Sequence, residues 1–264
     1  MFLKKDEGVK HMAKIITIAN QKGGVGKTTT ALCLGAVLES KGYKVLYIDL
    51  DKQSNTSKVL RADTTKEGTY SLLAKTRTAK ELIQVTANNQ YVISANETLD
   101  QLDTMLANKV GKEFRLKESL EEIKEYFDFI VLDTAPHLDV ITINALTCTD
   151  YLTIVCNADI FSLDGVKDLQ SIINSIQEYT NPNLKVGGIL INRFSPRAVL
   201  NRDLKTALEQ LASEYDTKVY KTFIRECIAI KESQALKQRI TDYAPKSNAV
   251  EDYTAVADEI LKEI

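Results

Sequence analysis

Asn20-Gln21-Lys22-Gly23-Gly24-Val25-Gly26-Lys27-Thr28-Thr29-Thr30 is the stretch that decides the fold of this chain. An apolar run, Ile15-Ile16-Thr17-Ile18-Ala19, leads into it, and a helical pattern, Ala31-Leu32-Cys33-Leu34-Gly35-Ala36-Val37-Leu38, leads out. Strand, glycine-rich turn and helix in that order are the setting of a phosphate-binding loop. Glycines let backbone N–H groups turn toward an anion, and the helix start adds the positive end of its dipole. In such a loop Lys27 reaches the β- and γ-phosphates and the Thr28 hydroxyl ligates Mg²⁺. The usual pattern, G-x-x-x-x-G-K-[ST], asks for glycine where Gln21 stands, so the plain motif fails by one residue. A second lysine, Lys22, stands directly before the glycines. The bland alternative is a glycine-rich turn that binds nothing.

Outward from the loop, apolar runs end in carboxylates. Val45-Leu46-Tyr47-Ile48 is followed by Asp49-Leu50-Asp51, and Phe129-Ile130-Val131-Leu132 by Asp133. In open parallel sheets ligands bind beyond the carboxyl ends of the strands, where these residues and the loop fall together. Asp49 and Asp133 suit a Mg²⁺–phosphate site, and Asp51 is placed to orient an attacking water. The chemistry implied is attack of water on a γ-phosphate, helped by in-line positioning and charge neutralisation. Any one aspartate at a strand end could equally be a cap or turn residue; three on one edge point to function.

Further strands are expected at Tyr91–Ile93, Tyr151–Cys156 and Val186–Ile191. Helices are expected at 114–127, 139–147, 163–179, 199–214 and 250–264, with one amphipathic piece at 70–82 in an otherwise polar segment. Strands without alternating polarity, separated by helices, imply an α/β fold. It is a single-domain, mostly parallel twisted sheet with helices on both faces, of the P-loop NTPase type. Composition agrees: 44% hydrophobic and 27% charged residues are those of a soluble globular domain. The four cysteines never form C-x-x-C, and Cys33, Cys148 and Cys156 lie in apolar runs as small hydrophobes. With no signal peptide or long apolar segment, a cytoplasmic setting is the default. Only His11 and His137 are available, far apart, which argues against a histidine metal site or triad. Residues 1–11 are polar and aperiodic and read as a disordered extension, with Met12 as an alternative start; residues 12–264 form the ATPase domain.

The loop resembles the deviant Walker A motif of ParA/Soj-type partition ATPases, within the ParA/MinD superfamily. The resemblance continues through Val45–Asn55, Gly111–Lys117 and Phe129–Leu146 to Tyr243-Ala244-Pro245-Lys246-Ser247, spanning essentially everything after Met12. It implies a DNA partition or segregation ATPase, weakly active alone, which closes an ATP-sandwich homodimer and works with a ParB-like centromere-binding partner. Lys22 would cross to the partner's phosphates like an arginine finger. Gly23, Gly24, Val25, Gly26, Lys27, Thr28 and Thr29 would hold ATP or ADP; Thr28, Asp49 and Asp133 would hold Mg²⁺; Asp51 would serve the water. Asn192 stands where similar proteins read adenine, with a turn or cap role as the alternative. Lys52 replaces the usual proline of D-x-D-P-Q, and Ala135, His137 and Ala244 also depart from the family pattern. His137 reads as a loop-packing residue rather than a catalytic one.

The ATP dimer of such proteins binds DNA without sequence preference and so associates with the nucleoid. Residues 183–240 carry eleven Lys and Arg against six Asp and Glu, a balance of +5 in a chain of formal net charge −2. That excess fits phosphate-backbone contacts, with a solvated mixed-charge face as the alternative. Arg197 falls where the family places a DNA-contacting arginine. Ala229 stands where a second belongs, leaving Arg225 and Lys231 as substitutes. The runner-up is a MinD-like membrane-cycling ATPase. It needs a basic amphipathic C-terminal helix, and the acidic tail from Ala255 to Ile264 argues against one, so no stable membrane anchoring is expected. An iron–sulfur ATPase would want paired cysteines after glycine turns, and a tyrosine-kinase relative a C-terminal tyrosine cluster; neither is present.

Overall fold

A computed structural model describes residues 12–159 and 161–264, so the expectation of disorder for residues 1–11 lies outside the described residues. Seven strands, β1 (Lys14–Ala19), β2 (Val45–Leu50), β3 (Gln84–Val85), β4 (Tyr91–Ile93), β5 (Phe129–Thr134), β6 (Tyr151–Asn157) and β7 (Lys185–Asn192), form one sheet in the order β3-β4-β2-β5-β1-β6-β7. All neighbours run parallel except the two-residue edge strand β3, which is antiparallel to β4. The helices are α1 (Lys27–Ser40), α2 (Asn55–Val59), α3 (Thr69–Ala74), α4 (Ala79–Leu82), α5 (Leu102–Leu106) and α6 (Arg115–Leu120). They continue with α7 (Val140–Cys148), α8 (Phe161–Tyr179), α9 (Val199–Glu214), α10 (Ile228–Leu236), α11 (Ile240–Tyr243) and α12 (Asn248–Leu261).

The central strands read as unbroken apolar runs because both faces of the sheet are covered. Successive side chains of β6 divide between two cores: Tyr151 and Val155 join α1 and α12 on one face, Leu152, Ile154 and Cys156 join α8 and α9 on the other. The remaining core packs α3, α5, α6 and α7 against β2 and β5. Helix α1 lies close against its sheet: a Cβ on Gly35 would sit 2.3 Å from the Tyr47 ring, so glycine here permits the approach. The apolar face of α12, including Tyr253, Val256, Ala257 and Ile260, is spent in the core beside α1. That occupied face leaves no apolar stripe for a membrane surface. Among the described residues, no helix is long and apolar enough to cross a membrane.

Where observed elements differ from expectation, the reasons are local. The helix expected from Phe114 to Phe127 resolves into α6 between 3₁₀ turns at Lys112–Phe114 and Lys124–Tyr126. Leu116, Leu120, Ile123 and Phe127 are all buried, so the spacing recorded burial rather than an unbroken hydrogen-bond ladder. The amphipathic piece at 70–82 splits because Lys75 takes a left-handed conformation (φ 58°) and Thr78 starts a new helix with a capping box. Asp49 and Asp133 lie within their strands, which run two residues past the apolar runs, to Leu50 and Thr134.

Candidate functional site

β1 is the point where the sheet order turns: the chain leaves it toward β2 on one side, and later strands are added on the other, beginning with β6. The loop after β1 therefore opens into the crevice at the carboxyl edge. Asn20 braces its start. Its Nδ2 donates to the Val155 carbonyl at 2.8 Å and its Oδ1 accepts the Lys22 N–H at 2.9 Å. Gly26 is the N-cap of α1 with φ +99°, and a Cβ there would lie 2.0 Å from Asn192 Nδ2. Both the conformation and the crowding require glycine. On the open side nothing lies within 4 Å of a Cβ built on Gly23 or Gly24. No side chain caps α1 and no acidic residue sits in its first turn, so its leading amides remain available to an anion.

The two lysines of the loop go different ways. Lys27 is buried, and its ammonium donates to the Lys22 carbonyl at 3.0 Å. Burial lowers its pKa, against the pull of Asp133 and Asp51. Lys22 is half-buried and turns outward onto Asp159, beyond β6, at 2.7 and 2.8 Å from the two carboxylate oxygens.

Asp49 and Asp133 are register partners on β2 and β5. Asp49 Oδ2 accepts the Ser57 N–H at 2.8 Å and the Ser57 hydroxyl at 2.6 Å, and Oδ1 accepts the Asp51 N–H at 3.1 Å. Asp133 Oδ2 accepts the Thr56 hydroxyl at 2.8 Å, whereas Asp133 Oδ1 is buried with no hydrogen-bond partner. Burial raises the pKa of both, and each weighs on its neighbourhood: Asp49 adds to the rise at Asp133. An orphaned buried carboxylate oxygen beside a second carboxylate is a demand for a cation. No cluster of three or more His, Cys, Asp or Glu suited to a metal occurs among the described residues. Mg²⁺ does not need one, because it is held by one or two carboxylates together with phosphates and water. Asp51 lies at the rim, half-buried, its Oδ1 accepting the Gln53 N–H at 2.9 Å. Lys52 pairs with Asp100 at 2.8 Å.

Asn192, at the end of β7, is buried against the loop: its Nδ2 donates to the Val25 carbonyl at 2.8 Å and its Oδ1 accepts the Arg193 N–H at 3.0 Å. It braces the loop and shapes the turn at Arg193 (φ 52°). His137 is exposed, and its backbone carbonyl accepts the Thr142 hydroxyl at 2.6 Å, a contact that does not involve the imidazole. Arg197 is exposed in the turn before α9, and Lys231 is exposed on α10, 3.5 Å from Glu226. Arg225 is instead tied to α12, donating to Asp252 and, at 2.7 Å, to Glu251. Thus the structure gathers Lys22 through Thr29, Asp49, Asp51, Asp133 and Asn192 at one edge, with Arg197, Arg225 and Lys231 elsewhere on the C-terminal third.

Sequence reasoning missed Thr56, Ser57 and Asp159. Thr56 and Ser57 follow Asp51 by five and six residues, in the first turn of α2, and their hydroxyls serve the two strand-end carboxylates. Asp159 follows β6 as Asp51 follows β2, so it was as legible as the other strand-end carboxylates. Buried Cys33, Cys148 and Cys156 have thiols pushed up to about 12 by burial, in keeping with a packing role.

Comparison with known proteins agrees with this geometry. A sequence model of the AAA domain family matches residues 13–186. The sporulation initiation inhibitor protein Soj of Bacillus subtilis (strain 168) is 34% identical over 253 residues, covering 94% of this chain and 98% of its own. The chain belongs to the ParA/Soj family of partition ATPases. Among solved structures, a putative plasmid partition protein of Borrelia burgdorferi B31 bound to AMPPNP superposes on this ParA/Soj chain with TM-score 0.79. It is 29% identical and is matched over 96% of this chain and 100% of that one. Cobyrinic acid a,c-diamide synthase of Mycobacterium smegmatis, with bound ADP and magnesium, gives TM-score 0.82 and 28% identity over 95% of each chain. The uncapped start of α1, the open side of Gly23–Gly24 and the orphaned Asp133 Oδ1 fit a magnesium nucleotide.

Proposed function

We propose that this ParA/Soj-family protein is a Mg²⁺-dependent DNA partition ATPase whose ATP-bound homodimer binds DNA non-specifically and is released by hydrolysis. The orphaned Asp133 Oδ1 beside Asp49, at the mouth of an uncapped glycine loop, is the observation that carries the reading. The amides from Gly23 to Thr29 receive the phosphates, Lys27 supplies a buried positive charge, and Thr28, Asp49 and Asp133 hold Mg²⁺. When bound, Mg²⁺ neutralises charge on the phosphate oxygens. Asp51, at the rim, orients the attacking water. Lys22 leaves Asp159 to reach the phosphates of a second copy, so each site is complete only in the dimer. Asn192 supports the loop from behind and borders the base.

DNA contact falls to exposed cations of the C-terminal third, Arg197 and Lys231 foremost. A ParB-like partner that accelerates slow intrinsic turnover, and a cytoplasmic, nucleoid-associated location, belong to the same reading. The test is DNA binding by wild type, Lys22→Ala and Asp51→Ala proteins with ATP and with ADP, alongside sedimentation. Wild type should dimerise and bind DNA with ATP only. Lys22→Ala should retain nucleotide yet stay monomeric, and Asp51→Ala should bind DNA with ATP and not release it. DNA binding indifferent to nucleotide, or rapid turnover by Asp51→Ala, would overturn the reading.

A further inference from the structure

Among the described residues, three side-chain hydrogen bonds run from the phosphate loop and first turn of α1 to the C-terminal third, and they differ in burial. Asn192 to the Val25 carbonyl and Thr30 Oγ1 to the Tyr253 hydroxyl (3.1 Å) are sealed in the core. The third joins half-buried side chains: Gln234 Nε2 donates to Thr29 Oγ1 at 3.2 Å. Gln234 belongs to α10, a surface helix that buries only Ile230 and Ser233. Its far end is held by side-chain bonds to backbone carbonyls, Arg61 to Leu236 at 3.0 Å and Asn88 to Lys237 at 3.4 Å, next to the left-handed Lys237. Under α10 lies a cavity of about 20 Å³ bordered by Leu32, Cys33, Ala36, Leu60, Ser233 and Gln234. Beyond Ile230, which reaches the core with Ala229 partly buried beside it, α10 is held by these polar contacts.

We propose that Gln234 is a positioning residue for nucleotide, orienting the Thr29 hydroxyl toward phosphate and thereby coupling occupancy of the loop to the order of α10. A hydroxyl has one proton to give and lone pairs to receive. With Gln234 Nε2 bound to a lone pair, the Thr29 proton is left to donate to a phosphate oxygen. That donation makes the hydroxyl oxygen a better acceptor and tightens the Gln234 bond. By linkage the effect is reciprocal: nucleotide steadies α10, and whatever steadies α10 favours nucleotide. Lys231 lies three residues before Gln234, on the neighbouring position of the same helix face, so the steadied element carries an exposed cation. The inference rests on Lys27–Thr29 as the phosphate-binding segment and needs no DNA-binding role for α10.

The experiment pairs titration of a fluorescent N-methylanthraniloyl ADP, with Mg²⁺, with amide hydrogen exchange of residues 228–238 with and without Mg-ADP. Wild type should show slower exchange across α10 when ADP is bound. Gln234→Met should bind ADP about threefold to tenfold more weakly, the span of one net hydrogen bond, and lose that slowing. Gln234→Glu, which can only accept, should bind more weakly still, because it claims the Thr29 proton and adds negative charge near the phosphates. In a Thr29→Val background the Gln234→Met penalty should vanish, as expected of two residues acting through one contact. Unchanged α10 exchange in ADP-bound wild type, or a full Gln234→Met penalty in the Thr29→Val background, would overturn the proposal. Absence of saturable ADP binding by wild type would instead remove the phosphate-loop reading on which it stands.

Discussion

Asp133 places its carboxylate where the folded chain by itself leaves it badly served: buried, beside Asp49, with one oxygen lacking a donor. Replacing Asp133 by Asn removes the like-charge repulsion and keeps a carbonyl oxygen for the Thr56 hydroxyl. The Asp133→Asn protein should therefore melt at a higher temperature than wild type in chelator. It should also lose the extra stabilisation that Mg²⁺ gives with nucleotide, which thermal melts with ADP, with and without Mg²⁺, would read. A second, largely buried carboxyl, Glu39 near the end of α1, accepts from Gln90 Nε2 at 3.0 Å and lies 3.6 Å from Arg239 Nε. Burial, only partly offset by Arg239, raises its pKa to about 7. The unfolded chain releases that proton near the ordinary value of about 4.3. The folded state thus binds more protons between those values, and stability falls as pH rises from about 4.3 to about 7, the penalty being full above that. Glu39→Gln should accordingly stabilise by about 2 kcal/mol more at pH 8 than at pH 5, measured by urea unfolding. Equal gains at both pH values would rule out a buried, proton-retaining Glu39.

At the scale of elements, the stretch between α9 and α10 runs along β7 through backbone bonds, among them Ile189 N–H to the Lys218 carbonyl at 2.8 Å and Ile224 N–H to the Ile191 carbonyl at 2.9 Å, and side chains tie it to α12. Arg225 clamps it to α12 through Asp252, whose side chain is only 8% exposed, and through Glu251. Removing the guanidinium would strand a nearly buried carboxylate, a loss softened because Arg225 itself is about one-third exposed. Arg225→Ala should lower stability by about 1–2 kcal/mol. Arg197→Ala, at an exposed turn, should leave the melting temperature within a degree or so and weaken DNA binding instead. If Arg225→Ala weakened DNA binding with no change in stability, its assignment as a clamp would be wrong. The same clamp sets Arg225 apart from Lys231, its alternative in the sequence, whose ion pair with Glu226 is exposed, since charge counting cannot see which cation is tied to a nearly buried carboxylate.

Across the whole molecule, charge is unevenly placed rather than large. Of the eleven cations between residues 183 and 240, Arg193, Arg197, Arg202, Lys221 and Lys237 make no ion pair among the described residues. If these cations meet phosphates, the logarithm of DNA affinity should fall linearly with the logarithm of salt concentration. The slope should be about −0.9 for each phosphate neutralised. Each single Arg197→Ala or Lys231→Ala change should make that slope shallower by about one and weaken all sequences alike. A salt-independent affinity would exclude the basic third as the contact surface.

The sequence by itself determined the loop, the parallel α/β sheet and the carboxylates at its edge. Each depends on local chemistry: glycines that reach left-handed backbone, apolar runs long enough for buried strands, aspartates just beyond them. Gly26, Lys27, Asp49 and Asp133 could be placed at that edge because residue type and spacing carry their positions. Only the tertiary structure decided which oxygen of Asp133 is left without a partner, that Lys22 rests on Asp159, and that Gln234 meets Thr29 across 205 positions. Those facts belong to contacts between residues far apart in the chain, and periodicity contains no term for them. The loop with which the chain begins its first crossover is thus legible as a phosphate site from eleven residues. Its connections to β6, β7 and α10 exist only once the sheet has closed around it.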